Sequence, residues 1–157
     1  MKSLPPLALA AALATLAGVT LPTRAQTSTQ SLRFQVQCLD LDGGLVIARM
    51  GPDGFQAGWD VMIAYHSGRA HHGVVVGNQA SGIRIARLEG RPYEQTTHVD
   101  AAGASFLADP PHRSATPDAV YLIRTDRGAL FKLGRVTEYG PTVTLDYELL
   151  LPAEAVN

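Results

Sequence analysis

From residue 26 onward apolar and polar side chains alternate with a period of two over short runs, the spacing of strands. The first run places Leu32, Phe34, Val36 and Cys38 on one face and Arg33, Gln35 and Gln37 on the other. An Asp- and Gly-rich turn at residues 40–44 then sends the chain back through residues 45–48. After a second turn-rich stretch, Val61, Ile63 and Tyr65 share one face and Met62 and Ala64 the other, and residues 73–76 and 82–88 predict two further strands. Thr125-Asp126-Arg127-Gly128 reads as a hairpin turn and Gly140-Pro141 as another. Beyond it Val143, Leu145, Tyr147 and Leu149 alternate with Thr144, Asp146 and Glu148. No long window keeps the helical period without a Gly, Pro or β-branched interruption. The pattern predicts an all-β, single-domain, mostly antiparallel, sandwich-like fold of about seven or eight strands.

The first 25 residues break the pattern. One early lysine, Lys2, precedes a long Ala/Leu run, and the small residues Thr23 and Ala25 flank Arg24. This reads as a secretory signal peptide cleaved after Ala25, with an apolar run short for a membrane span. The expected domain is therefore residues 26–157, periplasmic or secreted, with no transmembrane span. No cysteine near the cleavage point supports a lipid anchor. Cys38 is the only cysteine, so no intrachain disulfide can form, and its place in an alternating run predicts a small buried apolar residue. Without residues 1–25 the chain carries 11 basic and 14 acidic side chains, a net charge of −3. Such a balance excludes nucleic acid as a natural partner.

Between the two strand-rich halves, residues 91–118 lose all periodicity and accumulate Pro, Ala, Ser and Thr. Long irregular connections on a regular β scaffold are uncommon unless they carry function. His98 and His112 stand in this one. His71 and His72 are adjacent and would face opposite ways on a strand; one of them with His66 and a carboxylate forms at most a weak zinc or copper set. Met50 is a possible soft ligand, whereas Met62 reads as core. Trp59 is expected to pack in the core, Asp60 to hold a turn, and Lys132 and Arg124 to point outward from the closing hairpin as solvated charges. There is no nucleophile elbow, no phosphate-binding Gly loop and no framed pair of carboxylates. An enzyme is not predicted, and no catalytic residue is assigned.

Four segments in order carry a resemblance: the strand at Trp59-Asp60, the turn at Asn78, the hairpin VYLIRTDRGALFKLGRVTEY and the last strand TVTLDYEL. Together they are similar to the HmuY-like family, β-rich bacterial haem-binding proteins of the envelope and cell surface. The resemblance implies non-covalent binding of haem b by a haemophore-like protein, for scavenging or for transfer to an outer-membrane haem receptor. In that family's haem binders two histidines hold the iron, one from each side of the long connection, and the corresponding positions here are His98 and His112. Two axial imidazoles fill both open positions of the iron, which suits carriage and not oxygen activation. Directly paired strands lie about 5 Å apart, too close for ligands on opposite sides of a macrocycle, so the two arms must splay. Proximity then nominates Phe106, Val99 and Leu107 to cover the ring and Arg91 or Arg113 to pair with a propionate. The contrasting expectation is a β-sandwich interaction module without haem, binding a protein or an envelope component.

Overall fold

A sheet with one apolar face must bury it, and two sheets can do so against each other. The computed structural model describes residues 26–33, 36–51, 54–55, 57–65, 73–78, 80, 82–107, 118–139 and 141–153. Among them the strands are β1 (Ser28–Arg33), β2 (Gln37–Asp40), β3 (Leu45–Ala48), β4 (Met50–Gly51), β5 (Gly54–Phe55), β6 (Val61–Tyr65), β7 (Gly73–Gly77), β8 (Arg84–Leu88), β9 (Val120–Arg124), β10 (Leu130–Tyr139) and β11 (Thr142–Leu151). They form a five-stranded sheet in the order β1-β11-β10-β9-β8, a four-stranded sheet in the order β3-β2-β6-β7, and a small β4-β5 pair. Every pairing is antiparallel. The predicted all-β, antiparallel architecture is the one observed, and it does not close into a barrel. No described helix is long and apolar enough to cross a membrane.

The core lies between the sheets. Leu39, Val61 and Ile63 of the four-stranded sheet meet Ile85, Tyr121, Ile123, Leu133, Val143 and Leu145 of the five-stranded one. Along β11 the period-two reading holds: Val143, Leu145 and Tyr147 are buried, and Thr144, Asp146 and Glu148 between them are less so. It lapses at Leu149, which is exposed. The turn after β9 is also the predicted one. The Gly128 N–H donates to the Thr125 carbonyl, and Gly128 takes φ +88°, a region that favours glycine.

The first predicted strand is corrected. Leu32 and Cys38 are both fully buried, but on different sheets, since β1 pairs with β11 and β2 with β3 and β6. Val36, predicted on the buried face, is instead exposed at a turn where the chain crosses between them; Phe34 lies outside the described residues. Cys38 and Met62 are buried, as predicted, and burial pushes the Cys38 thiol up.

The other face of the five-stranded sheet is also partly covered. Ala86, Leu122 and Leu130 form a second cluster with Ala101, against which Leu88, Ala104, Phe106, Leu150 and Leu151 pack. The cover is the predicted irregular connection, which contributes two short 3-10 turns, Tyr93–Gln95 and His98–Gly103. Its far end joins the sheet edge at Leu107, whose N–H and C=O both bond Ile85. Residues 108–117 lie outside the described residues.

Candidate functional site

Most of the polar contacts that seat this covering segment come from one side chain and one bulge of β10. Lys132 alternates onto the covered face, opposite Leu122 and Glu148. It was predicted to be a solvated charge, yet it is buried. The difference arises because the first 3-10 turn roofs that face. In place of water, the Lys132 ammonium has the Tyr93 and Thr96 carbonyls, each at 3.2 Å, and the Glu148 carboxylate at 3.1 Å. Further along, the β10–β11 register slips by one residue between Gly134 and Thr137, a bulge that leaves Arg135 at φ 50°. So turned, Arg135 donates to Glu94 and, at 3.0 Å, to Asp146. These bonds hold the Glu94 carboxyl below its ordinary range.

Tyr93 lies against β10 at Gly134, where a Cβ would stand 2.8 Å from the tyrosine Cδ2 and 3.3 Å from the Ala119 carbonyl oxygen. Its ring also faces Lys132 Nζ at 4.5 Å and Arg135 Cζ at 4.8 Å from the centroid. Gly134→Ala is therefore expected to lower stability by about 1–3 kcal/mol, the usual range for overpacking. Denaturant unfolding checks this, and an unchanged midpoint would mean that Tyr93 can move aside without loss.

His98 opens the second 3-10 turn. The Thr97 N–H before it donates to Asp100 Oδ2 at 2.8 Å, the reach-back bond of a capping box, and Arg91 Nη2 meets the other oxygen of Asp100 at 2.8 Å. The amide bond first, and then Arg91, hold the Asp100 carboxyl below its usual range. His98 itself is exposed and lines a groove of about 290 Å³ with Ala101, Ala102, Leu130, Leu151 and Arg124. Arg124 is exposed as predicted and lies over the Phe106 ring, 4.3 Å from its centroid.

The structure thus joins some of the predicted site residues and separates others. His98 shares its groove with Arg124, which lies on Phe106. Arg91 is engaged by Asp100 and does not line that groove; it lines the clefts at the end of β8. Val99 and Leu107 are exposed. His112, Arg113, His66, His71 and His72 lie outside the described residues. The Met50 backbone is in β4, with its side chain likewise undescribed.

Beside the β9–β10 turn, where it lies with Asp42 and Asp126, Asp60 does hold a turn. Its Oδ2 accepts the Leu41 N–H at 2.7 Å, and the side chain is buried. The Trp59 indole is only partly buried, against the prediction that it packs in the core. The residue's part is instead a backbone one: its carbonyl accepts Asn78 Nδ2 at 2.9 Å, while the Asn78 N–H donates to the Asp60 carbonyl at 2.9 Å. Two of the segments singled out in the sequence are therefore bonded to each other. Asp42, Asp60 and Asp126 bring one carboxylate oxygen each within 4.8 Å of one another, a donor set that hard cations accept. Three oxygens are half or fewer of those a calcium ion takes, and the Leu41 amide already occupies Asp60, so the cluster is explained as turn chemistry.

Comparison of the chain with protein-family models, with curated proteins and with solved structures gives no match.

Proposed function

We propose that the protein binds haem non-covalently at the groove beneath the second 3-10 turn, with His98 as one axial ligand and His112 as the other. The observation that supports this is the company His98 keeps: an exposed imidazole at the rim of a groove lined by Leu130, Leu151, Ala101 and Ala102, with the Arg124 guanidinium as its other polar group. Imidazole suits haem iron, an apolar lining suits the macrocycle, and a guanidinium suits a propionate. Arg124 thereby takes the role first expected of Arg91. At about 290 Å³ the groove falls at the lower edge of the usual range for ligand sites, so it accommodates one side of the ring. Secretion, scavenging and delivery to an outer-membrane receptor are what the HmuY-like resemblance implies for such a binder.

The test is a haemin titration followed by absorption spectroscopy on the chain from Gln26 onward. One-to-one saturation with a six-coordinate low-spin spectrum is expected, and affinity should fall at least about tenfold in both His98→Ala and His112→Ala. Absence of saturable binding, or both variants behaving as wild type, would sink the reading. In the former case the interaction-module alternative leads, with exposed Val99 and Leu107 on the same segment as its first contact candidates.

A further inference from the structure

We propose that Lys132 is a positioning residue for this site: from beneath the covering segment, its ammonium fixes where His98 stands over the groove. The inference rests on the reading of His98 as a haem ligand. It begins from a burial that needs explaining. A lysine ammonium is strongly hydrated, and lysine is almost never fully buried unless paired. The Lys132 side chain is only 5% exposed, but has three oxygens within 3.2 Å, two of them backbone carbonyls of the covering segment.

The position of those carbonyls gives the burial its consequence. Thr96 lies two residues before His98, and the intervening Thr97 is tied to Asp100 inside the same 3-10 turn. Lys132 therefore reaches the entry of the turn that carries the ligand. At the exit, Leu107 is bonded to Ile85 through both its backbone groups. Between these ties the segment packs through Ala101, Ala104 and Phe106, two of which are small side chains that bury little apolar surface. Such packing sets the height of the strap over the sheet more firmly than its place along it. That place is fixed by directional bonds, and the two from Lys132 are the nearest to His98. Arg135 holds Glu94 in the first 3-10 turn, farther from His98, through an exposed ion pair whose hold is weaker.

The test uses Lys132→Met, which keeps the apolar stem and removes the donor. Amide hydrogen exchange at residues 98–103 should quicken at least about tenfold, while β9, β10 and β11 keep their protection. Haemin affinity should fall about 10- to 100-fold with both histidines present, as for loss of a group that orients a metal ligand. Glu148→Gln keeps an oxygen acceptor and both carbonyl contacts while removing the counter-charge, so it should lower global stability and change either local readout less than Lys132→Met does. A folded Lys132→Met chain with wild-type exchange at residues 98–103 overturns the proposal, as does Glu148→Gln reproducing the whole effect. Should Lys132→Met fail to fold, the wild type decides by heteronuclear NMR of its lysine ammonium groups. A Lys132 signal protected from solvent exchange is expected, and one exchanging like a free lysine overturns the assignment. If the wild type binds no haem, the haem reading falls by itself, and the exchange experiment still decides whether Lys132 holds the His98 turn.

Discussion

Leu133→Ala is expected to lower the stability of the domain by about 2–5 kcal/mol, the measured range for leucine truncation in a closed core. The large end is favoured by where Leu133 sits. It is fully buried, on the central strand of the five-stranded sheet, and it is paired across β9 and β11 with Tyr121 and Tyr147, both in the same core. A cavity there can shrink only if neighbouring strands approach, and their ladder bonds oppose that. Since a domain of this size is stable by about 5–15 kcal/mol, the loss is a large fraction of the total. Leu149→Ala on β11, at a side chain that is 39% exposed, is the matched control and should stay within about 0.5 kcal/mol. Urea unfolding decides, through a lower midpoint at unchanged slope for Leu133→Ala. A loss below about 1 kcal/mol would mean that the sheets close over the gap and that the core is less rigid than its packing implies.

The same period-two logic explains what could be read from the sequence and what could not. On β11 one face meets the other sheet and one carries Thr144, Asp146 and Glu148, so burial follows the letters. Where the chain crosses between sheets the letters alternate through the turn without a break, yet Val36 is exposed and the neighbours Cys38 and Leu39 are both fully buried, Leu39 joining Leu32 in the core between the sheets and Cys38 lying outside that cluster. Periodicity reports an alternation; it does not report what covers each side. Lys132 shows the complementary failure. Its outward register was legible, but the segment that roofs it has no period, and the carbonyls it bonds lie 36 and 39 residues away in the chain. The groove has the same origin: His98 stood out in the sequence as a histidine in an irregular connection, while Arg124, Leu130 and Leu151 join it only through the fold. The pair Trp59-Asp60 was visible, and the turn-holding role of Asp60 with it; the bonds to Asn78 were not, because they cross the β6-β7 hairpin.

Asp60→Asn is expected to leave stability unchanged near pH 4 and to raise it above pH 7 by as much as about 3 kcal/mol. Burial is the main reason: it pushes the Asp60 carboxyl up from its ordinary 3.8 to about 6, against the Leu41 N–H bond, which favours the charged form. The charges of Asp42, Asp40 and Asp126 push the same way as burial, and Arg127, 3.9 Å from Asp42, is the cation at this cluster. A carboxyl with a raised folded value holds its proton longer in the native chain than in the unfolded one. Its favourable contribution is therefore complete below pH 3.8 and is lost as pH rises through about 6. The wild type should weaken over that interval relative to the variant, and the difference between their urea midpoints isolates Asp60 from every group the two chains share. Asparagine keeps an oxygen for the Leu41 amide and removes only the charge, so the variant's gain measures the repulsion and desolvation that the native turn tolerates. A variant less stable at every pH would reverse the argument. It would mean that the ionised Asp60 is compensated in solution by more than the Leu41 amide, and that the three carboxylates do more than hold a turn.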